Sequence, residues 1–277
     1  DDFVAGELPG QRLPDGISPE ETIARLQMVY SRGIMAAAEQ VHAVVMSGGW
    51  DVGPAGYAGY ANRDREYRVP LVAVNAKPKM TWPGDVRPGQ RDRLPLQPDH
   101  THVVLLPTDD EAAISKYRFD LADAIARDDA TDRQLPAVAF LVNGAQPALM
   151  ETLECVRKGW PLVCIKGSGG VADRLYKARQ AGHTYMNDSA ITEIVQEANI
   201  EFIELSEVDG GTTSQMIKRL FCAQEQQLKS KNTDDPTVRL AWERFGEYSH
   251  ATDIYKGQSK WLRNSFLSIG VVITAAR

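Results

Sequence analysis

Short runs of consecutive apolar residues alternate along the chain with segments whose apolar residues return every three or four positions. The short runs fall at residues 41–46, 69–74, 102–106, 137–142, 162–165 and 200–205. Runs of this length fit strands covered on both faces, which is the condition of a parallel sheet. Between them, helical periodicity predicts helices over about 18–40, 54–65, 111–127, 149–158, 171–180, 188–198 and 212–228. The first carries a start signal: Ser18 as N-cap, Pro19 at the first helical position and Glu21 three residues after the cap. The alternation of strand and helix predicts an α/β fold with a mostly parallel sheet flanked by helices. Residues 77–100, with Pro78, Pro83, Pro88, Pro95 and Pro98, read as one long loop.

The polar stretch 230–236 (SKNTDDP) breaks this pattern and divides the chain into residues 1–230 and 231–277. Beyond it, Val238, Trp242, Phe245, Tyr248, Thr252, Tyr255, Ser259, Leu262 and Phe266 recur at helical spacing and predict one long C-terminal helix. Residues 265–276, from Ser265, are apolar and uncharged but shorter than the roughly twenty residues of a membrane span. Two readings stand for them: a helix end packed on a partner, or the opening of a transmembrane helix.

Composition narrows the function. A net charge of −6 argues against nucleic acid as a partner. Cys155, Cys164 and Cys222 are odd in number and widely spaced, so they form neither a disulfide framework nor a zinc pattern. A reducing, cytoplasmic setting is expected. No signal peptide opens the chain, and the abrupt start at Asp1-Asp2 reads as a fragment or a processed chain.

Three loops at the carboxyl ends of expected strands are built of small residues: Ser47-Gly48-Gly49, Asn143-Gly144-Ala145 and Gly167-Ser168-Gly169-Gly170. In an open parallel sheet ligands bind at that edge. Without Cβ atoms, successive amides converge on an anion, and the following helix adds its positive N-terminal end. The alternative is that the glycines only permit tight strand-to-helix turns. None of the loops is a P-loop or a Gly-x-Gly-x-x-Gly fingerprint. The long loop adds Arg87, Arg91 and Arg93, either a solvated basic loop or a cover whose Arg91 and Arg93 close on ligand phosphates. Trp82 either stacks on a base or anchors the loop. Asp173, in the first turn after the third loop, reads as helix N-terminal charge.

GSGGVAD (167–173), with VVMSGGWDVG (44–53) and LQPDHTHVVLLPTDD (96–110), resembles the SLOG superfamily. The nearest likeness is the prokaryotic TRPM-like (LSDAT) branch, over roughly residues 23–220. The resemblance implies a Rossmann-like domain that senses a nucleotide-derived second messenger, such as ADP-ribose or a cyclic NAD derivative. No tightly held cofactor and no catalytic residue are expected. It also implies a homo-oligomer, cytoplasmic and anchored at the inner membrane through a SLATT-like transmembrane effector, in the manner of anti-phage defence. The implied ligand site is Ser47, Gly48, Gly49, Asn143, Gly144, Gly167, Ser168, Gly169 and Gly170, with Arg91 and Arg93. Two departures stand out. The family pattern often has arginine where this chain has Gly170, and of the strand and glycine pair that open the family residues 1–16 offer only Phe3-Val4-Ala5-Gly6, so that element is absent, altered or upstream.

The superfamily also holds phosphoribohydrolases with a Pro-Gly-Gly-x-Gly-Thr-x-x-Glu loop. The matching place here, residues 143–151, keeps Glu151 but loses the second glycine and the Gly-Thr pair. A nucleotide N-glycosidase using Glu151 or Glu154 is therefore the alternative function. His100 and His102 point the same way on an extended segment. They lack a third ligand nearby and read as fixing the long loop, not as a metal site.

Overall fold

The computed structural model describes residues 18–88, 93–128, 133–182, 188–233 and 271–274. Seven strands form the central sheet: β1 (Ala43–Ser47), β2 (Leu71–Ala76), β3 (His102–Leu106), β4 (Ala137–Val142), β5 (Leu162–Lys166), β6 (Ile200–Glu204) and β7 (Val271–Thr274). Their order across the sheet is β6-β5-β4-β7-β1-β2-β3. Strands β1 to β6 pair in parallel wherever they meet. Setting β7 aside, this is the 3-2-1-4-5-6 order of a doubly wound sheet. The α/β, Rossmann-like expectation is met.

Period-two alternation divides the strand side chains between two cores. Val44, Met46, Ala137, Ala139, Leu141, Leu162 and Cys164 face one side. There they meet α4 (Glu111–Ile125), α5 (Gln146–Arg157), α6 (Gly170–Ala181) and α7 (Ser189–Glu197). Val45, Val138, Phe140, Val142, Val163 and Ile165 face the other. Their partners are α1 (Pro19–Met28), α2 (Met35–Gln40), α3 (Gly53–Arg63) and α8 (Gly210–Thr233). Residues with both neighbours in the sheet and helices on both faces have no solvent side, hence the unbroken apolar runs. Edge strand β3 differs from the expected buried run, since His102 and Val103 are exposed.

The first helix starts as the capping signal requires, with the Glu21 amide donating to Ser18 Oγ at 3.1 Å. It does not run uninterrupted to residue 40. A π-helical segment, Val29–Ile34, separates α1 from α2. Gly33 lies in it against α8, where a Cβ would meet Thr213 Cγ2 at 2.7 Å. The wider turn fits where another helix presses close.

The C-terminal expectation needs correction over four residues. Val271–Thr274, read as continuing a helix or opening a membrane span, are a strand pairing antiparallel with both β1 and β4. The run Val-Val-Ile-Thr is β-branched throughout, which favours strand over helix. Among the described residues no helix is long and apolar enough to cross a membrane. The predicted helix over 238–266 lies outside the described residues.

Within the expected loop, the described residues 77–88 and 93–100 carry regular pairing. Met80–Thr81 pair with Leu94–Pro95, and Trp50 bridges Leu96. The segment thereby docks on the turn that follows β1.

Candidate functional site

Because β1 to β6 run in parallel, the three glycine loops share the carboxyl edge of the sheet. The loop after β1 is fixed from several directions. Gly49 has φ +75°, and a Cβ there would overlap Ala73 of β2. Its amide donates to Ser47 Oγ at 3.1 Å, and its carbonyl accepts from the Gln97 amide at 2.9 Å. The Gly48 carbonyl accepts from Asn75 Nδ2 at 2.5 Å. Ser47 Oγ lies 2.7 Å from His100 Nε2. His100 Nδ1 faces two acceptors, Gln97 Oε1 at 3.2 Å and Gln97 O at 3.3 Å, so it carries the proton. Nε2 then accepts the Ser47 hydroxyl. Burial holds the imidazole neutral, with its pKa lowered to about 4. His100 thus fixes the long segment to the first glycine loop, as the sequence reading expects; His102 instead bonds Thr101 Oγ1 at 2.9 Å. No group of three metal-ligating side chains occurs among the described residues.

The second and third loops interlock. Val171 N donates to Gly144 O at 2.9 Å and Ala172 N to Asn143 O at 3.0 Å. Asn143 N donates to Ser168 Oγ at 2.7 Å, and that hydroxyl donates to Ile165 O at 2.5 Å. A Cβ on Gly170 would overlap Asn143 Oδ1 and Gly144 O. The bare backbone of this loop therefore approaches, first of all, the neighbouring loop. The expectation that Ser168 offers its hydroxyl to a ligand is not met, because both of its hydrogen-bonding roles are used internally and the side chain is buried. The Gly167 amide is also taken, by Asp173 Oδ1 at 2.6 Å. Asp173 thus caps the loop with a specific bond, where the sequence suggested only helix charge. The amides of Ser168, Gly169 and Gly170 make no hydrogen bond among the described residues. They precede or open α6, where the helix adds partial positive charge.

Between the first and second loops lies a pair that the sequence reading half missed. Arg118 of α4 donates through Nη1 to Glu151 Oε1 of α5 at 2.6 Å, and through Nε and Nη2 to Val74 O at 3.3 and 3.1 Å. Its Nη2 is 4.0 Å from the position a Cβ on Gly48 would take. The Glu151 side chain is 3% exposed. Burial pushes its pKa up, outweighing the attraction of Arg118 and a hydrogen bond from Ser115. Glu154 is instead paired with Arg157 at the surface. The signal for Arg118 is its spacing: it stands four residues after buried Ile114 and beside buried Phe119, a charge on the apolar side of α4.

The two described arginines of the long segment, Arg87 and Arg93, are committed locally. Arg93 donates to Pro88 O at 2.8 Å and contacts Asp85 Oδ2 at 3.5 Å. Arg87 holds Asp85 at 2.6 Å and lies 4.3 Å over the Trp82 ring. These contacts keep the Asp85 carboxyl well below the usual carboxylate range. Trp82 anchors this knot. Arg91 lies outside the described residues. Two surface hollows, of about 300 Å³ beside α7 and about 340 Å³ between α1 and α3, lie away from the glycine loops.

No curated protein matches the chain. Among solved structures, that of TM1055 is similar at 17% identity, covering 74% of this chain and 93% of its own, with a TM-score of 0.42. A family model described as "SLOG in TRPM, prokaryote" matches residues 14–214, most of the sequence, and the chain belongs to that family.

Proposed function

We propose that the domain is a sensor for a nucleotide-derived anion of the ADP-ribose type, held at the carboxyl edge of the sheet between the first glycine loop and the interlocked second and third. The observation that carries this reading is the partly buried Arg118 guanidinium beside Gly48, a fixed positive charge near the strand-order reversal of a doubly wound sheet. A guanidinium with donors left over beside a bare peptide edge suits phosphate. The amides of Ser168, Gly169 and Gly170, unbonded among the described residues, add donors on the other flank. Membership of the family favours a nucleotide-related role.

Sensing needs a ligand that binds two states of the protein with different affinity. In this proposal the chain beyond α8 passes the change on, to a second protomer or to an effector at a membrane. A second reading, N-glycosidic hydrolysis, is favoured by one observation: Glu151 is buried with its pKa raised, as a proton-transferring carboxyl requires. Against it, the carboxylate is already engaged by Arg118. Titration calorimetry with ADP-ribose, cyclic ADP-ribose, NAD and AMP tests the sensor, run beside a free-base release assay. Binding without turnover supports sensing. Base release that Glu151→Gln abolishes replaces it with the hydrolase.

A further inference from the structure

Strand β7 occupies an unusual place. Antiparallel strands in otherwise parallel sheets commonly lie at an edge. Here the antiparallel strand lies in the middle, between β1 and β4, where the strand order reverses. Val271 pairs with Met46 and Ala139, Val272 with Val45 and Val138, and Ile273 with Val44 and Ala137. β1 and β4 form no ladder with each other; each is bonded to β7. The two strands that carry the Ser47-Gly48-Gly49 and Asn143-Gly144 loops are therefore two inter-strand steps apart, about 9–10 Å. β7 also begins, at Val271, at the end of this slot nearest those loops.

We infer that β7 is a spacer that sets the width of the nucleotide crevice, so that strand insertion and ligand binding are thermodynamically linked. This rests on the proposed ligand site. The physical argument is short. Without β7, either β1 and β4 close up by one step or their facing amides and carbonyls stand unpaired, which buried backbone does not tolerate. Both outcomes displace the first glycine loop from the second. A ligand that bridges the two loops then binds only the inserted state well. By reciprocity it must also stabilise the inserted strand by the same factor. The C-terminal strand thereby becomes the element through which occupancy is communicated along the chain.

The test uses the full chain with ADP-ribose as probe. Val272→Pro removes one strand amide and puts a ring into a central strand. Val45→Cys with Val272→Cys joins residues directly opposite in register, within disulfide reach. The expected results are affinity about tenfold weaker or more in Val272→Pro, wild-type affinity or better in the oxidised double variant, and slower amide exchange over 271–274 on adding ADP-ribose. Should Val272→Pro fail to fold, the oxidised and reduced forms of the double variant carry the comparison. Equal affinity in Val272→Pro and wild type, or a lock that abolishes binding, overturns the spacer while leaving the ligand site standing. Absence of binding by wild type overturns the ligand site and the spacer with it.

Discussion

Ser168 Oγ accepts the Asn143 amide at 2.7 Å and so ties the loop after β5 to the loop after β4. Two of the three glycine loops are thus one structural unit. Ser168→Ala leaves the Asn143 amide without its acceptor. A loss of about 1–3 kcal/mol is expected, read as a lower denaturation midpoint with an unchanged denaturant slope.

Gly170 has φ +55° and no room for a Cβ against Asn143 and Gly144. Gly170→Ala should therefore destabilise by about 1–3 kcal/mol and part the two loops. The arginine that the family pattern often carries at this position does not fit this backbone, so Gly170→Arg should be worse than alanine in a thermal melt.

The Arg118–Glu151 pair gives a test with an internal control. Arg118→Met strands a buried carboxylate and should cost about 3–5 kcal/mol. Adding Glu151→Gln should recover a large part of that, as a double-mutant cycle measures. Glu151 in the folded protein has a pKa raised above its ordinary 4.5. Its contribution to stability is complete below pH 4.5 and is lost as pH rises through the raised value. Glu151→Gln should remove that decline.

His100 gives the opposite slope. Its folded pKa, about 4, lies below the ordinary 6.5. Between those values the unfolded chain binds a proton that the folded one refuses, so stability falls as pH drops from 6.5 towards 4, by roughly 3 kcal/mol at most. His100→Asn should flatten the denaturation midpoint over that interval.

Much of this fold is legible in the sequence. The apolar runs at 137–142 and 162–165 place β4 and β5 because strands covered on both faces have no polar side to interrupt them. Ser18 and Asp188 mark helix starts through local capping bonds, which depend on near neighbours alone. The π-helical segment was not legible, because the residue that packs against Gly33 within it is Thr213, 180 residues away in the chain. Strand β7 was hidden for a similar reason: a four-residue apolar stretch acquires its meaning only from the slot between β1 and β4. At the site, the glycines marked the right edge of the sheet, but their first duty is to let loops approach each other. Arg118 carries no motif and stands out only once Ile114 and Phe119 are known to be buried.

In the proposed function an anionic nucleotide rests on the third-loop amides of Ser168, Gly169 and Gly170, which bond nothing among the described residues. Hydrogen exchange at Ser168, Gly169 and Gly170, with and without ADP-ribose, tests it most directly. The account predicts that all three amides exchange at least tenfold more slowly with ligand bound, while the already bonded Val171 and Ala172 change little. Unchanged exchange at the three amides under saturating ADP-ribose would contradict it.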